Sequence, residues 1–467
     1  MRAQFEIADE LFSRPALDVH VVERGTSTRS GWLSCHIGGN VEFSIAKLET
    51  YCITQWDPMV YDALLVAAAV EFADRTQRRP AMSWGRDLQL MIPVHDPDRW
   101  NDRRVIEALH DVLNFLTGDR WQISFYKRRQ TLKAPAQGQF DLPAAISAVI
   151  PFSDGLDSRC VAGLLGREMG DRLIRVRLGS KTCDGKKLLR QRQPFTSVPY
   201  RVQEGEHSFV ESTARSRGFK FALISGLAAY LTKAGQVIVP ESGQGALGPA
   251  LVTVGQGYED YRSHPLFTER MERFLEALLH HKVRFSFTQL WQTKAETLRE
   301  FVRECPDGES WAGTWSCWQQ TRQVSVDKKK RQCGICAACL LRRLSVHGAG
   351  FAEPKERYVW ENLSAPTFES GAAASFPKAK VTKALREYAI AGALHLDHLA
   401  DLADAPANAG MLGLSAFHLS KSLGLAEADV QAKLHRLLVQ HKMEWKDFME
   451  SLGQGSFLGD WAGEVKA

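Results

Sequence analysis

Apolar residues recur along this chain with two spacings, one typical of strands and one typical of helices. In the first part of the chain, strand-like runs at residues 16–22, 32–37, 88–94 and 121–126 are mixed with helical segments at 61–75 and 102–116. In the last helical segment of this part, Val105, Leu109 and Val112 recur every three or four residues and share one helix face. The pattern predicts an α+β module over residues 1–140, which ends in a basic linker at residues 127–138.

The central part of the chain, residues 141–350, shows the alternation of strands and helices that a mostly parallel α/β sheet requires. Its predicted elements lie at residues 144–151, 173–178, 195–202, 217–233, 236–240, 266–279 and 293–302. Residues 370–467 are predicted to be helical, most clearly at 381–402 and 430–439. A superficial helix-turn-helix pattern begins at Leu419, but a packing or docking bundle is the favoured interpretation. The predicted fold class is therefore α/β.

Composition and charge narrow the class of protein only slightly. With 467 residues and 44% hydrophobic content, the chain is long enough for two or three globular domains. Its formal charge of +5 is small for this length, so nucleic acid is a possible partner that nothing indicates. No apolar run reaches the roughly 18 residues of a membrane span, and the first residues do not resemble a secretion signal. We therefore expect a cytoplasmic protein without a membrane partner.

The apolar run at 144–151 ends abruptly in a predicted loop, and a second apolar run follows this loop. Ser153, Asp154 and Gly155 favour a turn, and Asp157 or Ser158 can cap the helix that comes next. The start of a helix offers unpaired backbone N–H groups and a partial positive charge, so a phosphate can bind there without a cationic side chain. The loop therefore predicts an anion site, and an ordinary serine-capped turn is the alternative.

Two familiar phosphate-binding motifs do not fit this loop, because it lacks both the Lys of G-x-x-x-x-G-K-[ST] and the spacing of G-x-G-x-x-G. It resembles instead the S-G-G-x-D-S loop of the PP-loop ATP pyrophosphatases, which form adenylates and release pyrophosphate. Ser153, Gly155, Asp157 and Ser158 match that loop, whereas Asp154 stands in place of its first Gly. The resemblance implies an ATP site, and the added charge of Asp154 implies weaker ATP binding or a nearby metal ion.

Four of the nine cysteines are crowded into one segment, in which Cys317 is followed after fifteen residues by Cys333, Cys336 and Cys339. Three thiolates at such short gaps can wrap one ion, and the fourth completes a tetrahedral zinc site of the structural kind. Iron–sulfur ligation is the competing interpretation. Zinc is favoured because nothing else in the sequence indicates electron transfer.

Two further segments carry polar residues that can approach a ligand. The Gly-rich segment 241–246 follows the strand at 236–240, and ligands collect at the carboxyl ends of strands in open α/β sheets. A flexible turn is the alternative for this segment. Thr293 and Glu296 match a capping box at the start of a helix, which needs no function, and Lys294 between them can face a phosphate.

Five motifs follow one another between residues 144 and 350: the loop at 153–158, Arg217-Gly218-Phe219-Lys220-Phe221, Thr293-Lys294-Ala295-Glu296, Trp315-Ser316-Cys317, and the cysteines at 333–339 with Leu341-Arg342. In this order they resemble the 7-cyano-7-deazaguanine synthase family, often called QueC. The segment 241–247 departs from the family, because it lacks the Asp- and Tyr-containing stretch found there.

The resemblance to QueC implies a ligase that activates the carboxylate of 7-carboxy-7-deazaguanine, or of a related deazapurine, as an adenylate. An amine then attacks to give an amide or a nitrile. By the same resemblance, residues Ser153 to Ser158, including Leu156, hold the ATP phosphates, and Asp157 helps to position Mg²⁺. Arg217 and Lys294 contact the nucleotide or the developing negative charge. The four cysteines hold Zn²⁺.

The N-terminal and C-terminal parts exceed the biosynthetic QueC proteins, and a long chain of this type resembles QatC of the Qat anti-phage system. This resemblance implies that the activated acid passes to an amine on a partner protein from the same operon. A tRNA-thiolating PP-loop enzyme is an alternative, with Cys160 and Cys183 as its candidate cysteines. A nucleotide-binding scaffold without catalysis is another, and Asp154 favours it.

Overall fold

A computed structural model of the chain describes residues 14–45, 57–80, 85–130, 145–179, 195–211, 214–253, 258–306, 310–318, 325–404 and 406–463. The chain divides into two compact units. Unit 1 is formed by residues 1–152, 168–239 and 260–286, and unit 2 by residues 153–167, 240–259 and 287–467. Most of the linker predicted at 127–138 lies outside the described residues.

The described strands, in chain order, are β1 (Ala16–Val22), β2 (Leu33–His36), β3 (Val41–Phe43), β4 (Asp87–Val94), β5 (Arg120–Lys127), β6 (Ala148–Pro151), β7 (Leu173–Leu178), β8 (Phe195–Val198), β9 (Tyr200–Val202), β10 (Gln236–Ile238), β11 (Arg284–Ser286), β12 (Ser325–Val326) and β13 (Lys329–Lys330). Strands β1 to β11 belong to unit 1, and β12 and β13 to unit 2.

The described helices, in chain order, are α1 (Pro58–Thr76), α2 (Pro97–Trp100), α3 (Arg103–Thr117), α4 (Leu156–Met169), α5 (Arg217–Thr232), α6 (Gly243–Ala246), α7 (Gly248–Leu251), α8 (Pro265–Leu279), α9 (Lys294–Glu304), α10 (Ala337–Gly348), α11 (Lys383–Asp401), α12 (Ala409–Leu423), α13 (Glu427–Leu452) and α14 (Phe457–Gly463). Helices α1 to α3, α5 and α8 belong to unit 1. The others belong to unit 2, including α4 as far as Arg167.

The four-stranded sheet of the N-terminal part has the order β2-β1-β4-β5, and all its neighbouring strands are parallel. This part is therefore α/β, and the expectation of an α+β module was wrong in this respect. Apolar spacing reports which side chains are buried, but it carries no information about the direction of the neighbouring strand. Helices α1 and α3 each return the chain to the edge where the next strand starts, as parallel pairing requires.

The five-stranded sheet of unit 1 has the order β11-β10-β6-β7-β8 and is also parallel. Numbered along the chain, its strands lie in the order 5-4-1-2-3, which is that of doubly wound α/β sheets. The chain first adds β7 and β8 on one side of β6 and then β10 and β11 on the other. In such sheets, ligands bind at the carboxyl ends of the two strands where the order reverses, which are β6 and β10 here. The predicted parallel α/β class is confirmed.

The C-terminal part is helical, as predicted, and it shares its core with the cysteine segment. One buried cluster of unit 2 contains the four cysteines together with Trp360, Leu396 of α11 and Trp445 of α13. Helix α13 is longer than the segment predicted at 430–439, and α12 was not predicted as a separate helix. Among the described helices, none combines the length and the apolar composition that a membrane span requires.

The close packing of α4 on α9 generates a prediction about stability. A Cβ atom added at Gly163 would lie 2.3 Å from the Phe301 ring, whereas one added at Gly413 of α12 would meet nothing within 4 Å. We expect Gly163→Ala to lower the free energy of unfolding by about 1–3 kcal/mol through overpacking. Gly413→Ala should instead raise it by about 0.5–1 kcal/mol, because Ala favours the helix. Urea unfolding of both variants measures the contrast, and equal stabilities would contradict the described packing.

Candidate functional site

The loop between β6 and α4 is closed by its own serines. The hydroxyl groups of Ser153 and Ser158 are hydrogen-bonded at 2.9 Å, and the Gly155 backbone N–H donates to Ser153 Oγ at 3.1 Å. Leu156 is buried and belongs to a core cluster that also contains residues of α9. The loop is therefore held by internal hydrogen bonds on one side and by apolar packing on the other, at the start of a helix.

Asp154, the residue that departs from the PP-loop pattern, causes no backbone strain. Its φ is not in the left-handed region that favours glycine, and its carbonyl oxygen accepts a hydrogen bond of 2.7 Å from the Trp315 backbone N–H. The residue is exposed. The chain conformation at this position therefore accommodates an Asp, and its remaining effect on a bound anion is electrostatic.

Asp157 and Lys294, two of the three residues predicted to act in catalysis, form an ion pair through Asp157 Oδ2 and Lys294 Nζ. Both side chains are largely buried. The second carboxylate oxygen of Asp157, Oδ1, is buried and has no hydrogen-bond partner among the described residues. The pair thus joins the start of α4 to the start of α9. It leaves Asp157 Oδ1 able to bind a cation or to accept a hydrogen bond.

Lys294 is positioned by the two residues of the predicted capping box and by Gln244. The Glu296 N–H donates to Thr293 Oγ1 at 3.2 Å, and the Thr293 N–H donates to Glu296 Oε2 at 2.8 Å. Gln244 Oε1 accepts a hydrogen bond of 2.8 Å from the Lys294 N–H. Burial alone would lower the pKa of Lys294, but the nearby carboxylates of Asp157 and Glu241 outweigh it and hold the pKa above its ordinary value. The ammonium therefore stays charged at neutral pH.

Arg217, the third residue predicted to act in catalysis, lies in unit 1 at the first position of α5, and its side chain is exposed. The start of α5 is anchored by the Ser216 N–H, which donates to Asp74 Oδ2 at 2.7 Å. Gly218 follows Arg217, and a Cβ added there would lie 2.8 Å from Arg262 Cβ. Packing within unit 1 thus explains the Gly, while a catalytic role of Arg217 stays a prediction.

The structure brings the four predicted metal ligands together. Cys317, Cys333, Cys336 and Cys339 are all buried, and their sulfur atoms lie within 4.8 Å of one another. The Cys333 and Cys339 sulfurs are 3.8 Å apart, which is the edge of about 3.8 Å expected for a tetrahedron with metal–sulfur bonds of about 2.3 Å. A multi-iron cluster separates its thiolates further, because iron and sulfide lie between them. The four cysteines can therefore hold a single metal ion such as zinc.

Backbone N–H groups of the cysteine segment donate hydrogen bonds to the cysteine sulfurs. The N–H groups of Cys333, Cys336 and Cys339 donate to the sulfurs of Cys317, Cys333 and Cys336 at 3.2, 3.3 and 3.4 Å. Gly334 has a φ of +87°, and a Cβ at this position would lie 3.0 Å from the Trp360 carbonyl oxygen. Donors of this kind stabilise thiolates, so the cysteine segment is preorganised as a metal-binding turn.

Four polar residues of unit 2 near the Asp157–Lys294 pair were not predicted as site residues: Glu241, Gln244, His441 and Glu444. The first two lie in the Gly-rich segment 241–246, which the sequence did mark. His441 and Glu444 belong to α13, where they occur within a stripe of buried Leu, Trp and Phe residues. A polar residue inside an apolar stripe is the signal that could have identified them.

No protein-family model and no curated protein matches this chain. The assignment of a function therefore depends on the motifs of the sequence and on the contacts of the described residues.

The cysteine cluster predicts a metal content that can be measured. We expect the purified protein to carry about one tightly bound metal ion per chain by elemental mass spectrometry. Cys336→Ser should lose the ion and lower the melting temperature by about 5 °C or more, because a structural ion contributes directly to folding. Cys305→Ser, which changes a cysteine outside the cluster, is the control and should retain the ion. A metal-free wild-type protein would contradict the assignment.

Glu444 predicts a dependence of stability on pH. Burial raises the pKa of Glu444 from 4.5 to about 7, against the effect of hydrogen bonds to its Oε1 from Thr293 Oγ1 and Gln440 Nε2 at 2.7 and 3.0 Å. Its Oε2 is buried and has no hydrogen-bond partner among the described residues. Between these pKa values the folded protein keeps a proton that the unfolded chain has lost, so the free energy of unfolding falls as pH rises.

Glu444→Gln stays neutral and should escape this loss. Relative to wild type, its free energy of unfolding should rise by on the order of 1–3 kcal/mol between about pH 5 and pH 8. Urea unfolding at several pH values measures this difference. Glu450→Gln, at an exposed position of the same helix, should show no such trend, and a flat difference for Glu444→Gln would refute the prediction.

Proposed function

We propose that this protein is an ATP-dependent ligase that forms an adenylate and transfers the activated acid to an amine. The observation that carries the proposal is the buried ion pair of Asp157 and Lys294, which joins the loop after β6 to the helix start after β11. A charged lysine beside the N-terminus of α4 suits a polyphosphate, because both offset its negative charge. The doubly wound strand order is also consistent with a nucleotide.

The reaction we propose has two steps. A carboxylate oxygen of the substrate attacks the α-phosphorus of ATP, and pyrophosphate leaves. An amine nitrogen then attacks the acyl carbon and loses a proton, and AMP leaves with the electron pair of the broken C–O bond. A nitrile requires a second ATP, whose α-phosphorus the amide oxygen attacks as pyrophosphate leaves. The amide nitrogen then loses its two protons, the C≡N bond forms, and AMP leaves with the former amide oxygen. The N–H groups at the start of α4 and the Lys294 ammonium stabilise the charge that moves onto the phosphates.

Two metal ions belong to this proposal. The buried Oδ1 of Asp157 has no hydrogen-bond partner among the described residues, and an orphaned carboxylate oxygen fits Mg²⁺, which binds oxygen ligands together with phosphates. We assign Zn²⁺ to the four cysteines, because a closed set of four thiolates around one ion is typical of structural zinc.

The substrate and the acceptor in this proposal come from the resemblance to QueC and QatC. We propose 7-carboxy-7-deazaguanine, or a related deazapurine, as the acid and an amine of a partner protein from the same anti-phage operon as the acceptor. Thiolation of tRNA is less well supported, because Cys160 is buried and burial raises the pKa of its thiol well above the ordinary value. Cys183 lies outside the described residues.

The proposal predicts that ATP consumption depends on the ion pair. Wild-type protein with ATP, Mg²⁺ and 7-carboxy-7-deazaguanine should release pyrophosphate in a coupled assay. Asp157→Ala and Lys294→Ala should each lower the rate by about 100-fold or more, because each removes a charge at the reacting phosphates. Lys282→Ala, at an exposed lysine of unit 1, is the control and should keep the wild-type rate.

The same reaction identifies the acceptor when operon proteins are added and intact masses are measured. A mass increase on one of them, dependent on ATP and lost in Asp157→Ala, is the expected result. ATP binding without pyrophosphate release would instead identify a nucleotide-binding scaffold. Pyrophosphate release with no mass increase on any operon protein would overturn the proposed acceptor.

A further inference from the structure

One face of α13 lies against the segments that carry Lys294 and Gln244, all within unit 2. Leu437, His441 and Glu444 are four and three residues apart and therefore share this face. The approach is close, since a Cβ added at Gly243 would lie 2.4 Å from Leu437 Cδ2, and one added at Gly348 would lie 3.4 Å from Glu444 Cγ. Side chains of α13 thus contact the surroundings of Lys294 directly.

His441 is connected to Lys294 through Gln244. The Lys294 backbone N–H can only donate, so its partner at 2.8 Å must be the amide oxygen of Gln244. The amide nitrogen of Gln244 therefore donates to His441 Nδ1, at 2.8 Å. His441 Nε2 then carries the proton and donates to the Leu396 carbonyl oxygen at 2.9 Å. The chain of donors and acceptors has a single consistent direction, from Lys294 N–H to Leu396 O.

The neutral form of His441 is required by this chain of hydrogen bonds. A protonated imidazole has no acceptor, so Nδ1 could not receive the Gln244 amide. Burial lowers the pKa of His441 to about 4, against the effect of the hydrogen bond to Leu396. The connection therefore persists throughout the neutral pH range.

Two more residues of α13 hold the same helix start. Thr293 Oγ1, in the residue that caps α9, donates to Glu444 Oε1 at 2.7 Å. Arg436 Nη1 donates to Glu296 Oε2 at 2.8 Å and to the Trp291 carbonyl oxygen at 2.9 Å. Thr293 and Glu296, the two capping-box residues, are therefore each hydrogen-bonded to a side chain of α13.

We propose that His441 is a positioning residue, which acts through Gln244 to hold Lys294 against Asp157. The C-terminal helical region then positions a residue of the site, in addition to any role as a docking surface for a partner. The hydrogen bonds stand independently, and only the catalytic meaning of Lys294 rests on the proposed function. Helix α13 lies far along the chain from the loop at 153–158 and from the cysteine segment.

The test measures the chemical reactivity of the Lys294 side chain in the full-length protein and does not rely on enzymatic activity. The folded protein is exposed briefly to acetic anhydride, and the acetylation rate of Lys294 is followed by peptide mass spectrometry. We expect His441→Leu to raise this rate by about fivefold, the factor that one hydrogen bond of ordinary strength supplies. His441→Asn can place an amide oxygen near the position of Nδ1 and should restore most of the protection.

Two further variants keep the test decisive. Gln244→Met breaks the connection from the other side and should raise Lys294 acetylation even if His441→Leu does not fold. His435→Leu changes an exposed histidine of the same helix and should leave the rate unchanged. Equal Lys294 acetylation in wild type, His441→Leu and Gln244→Met would overturn the inference, as would an equal increase in His435→Leu.

The outcome is separable from the proposed function. If wild-type protein releases no pyrophosphate, the ligase proposal fails, whereas the acetylation rates still decide whether His441 positions Lys294. If pyrophosphate release is present, His441→Leu should lower kcat more than it raises the KM for ATP, and His441→Asn should recover part of kcat. Recovery of this kind distinguishes positioning from general loosening of the helix.

Discussion

The buried ion pair between Lys294 and Asp157 is the physical constraint around which unit 2 is arranged. Moving an ammonium group out of water has a large unfavourable free energy unless an opposite charge and hydrogen bonds compensate it. Both partners therefore have to be held in place by their own backbone. Asp157 is held by a loop that its serines close, and Lys294 by a capping box. The segment after β10 supplies Gln244 and Glu241, so three chain segments meet around one lysine.

The cysteine cluster has a comparable role in the core of unit 2. Its four sulfurs lie among Trp360, Leu396 and Trp445, in a hydrophobic cluster that the C-terminal helices complete. The packing is close at one point in particular, because a Cβ added at Gly392 of α11 would lie 2.7 Å from the Ala337 backbone nitrogen. A metal ion bound by these thiolates would hold together the turn from which α10 begins. The C-terminal region and the metal-binding turn thus stabilise each other.

The surroundings of the ion pair have a consequence for the function that we propose. A catalytic lysine works only when its charge is fixed relative to the reacting phosphates, and a fixed charge requires a rigid surrounding. Here the rigidity comes from α13 on one side and from α4 on the other. The C-terminal helices therefore help to fix the charge of Lys294 within unit 2.

Much of the local structure was predictable, because burial repeats with the period of the element. The strands at 16–22 and 173–178 have the bounds that their apolar runs indicated, and the capping box at Thr293 and Glu296 forms as its spacing predicted. Strand β11 escaped prediction because Phe285 is the one apolar residue among its three, so it forms no apolar run. The cysteine cluster was predictable because close spacing along the chain also limits distance in space.

The sequence by itself determined the alternation of elements, the loop at 153–158, the helix start at Lys294 and the grouping of the cysteines. Each of these depends on residues that are near one another in the chain. Only the tertiary structure decided that the N-terminal strands run parallel, that Lys294 pairs with Asp157 and that His441 reaches Gln244. These partners are 137 and 197 residues apart, and no local period specifies which of two distant surfaces will meet. Their pairing follows from the burial of apolar faces and from the need to compensate the charges and polar groups enclosed between them.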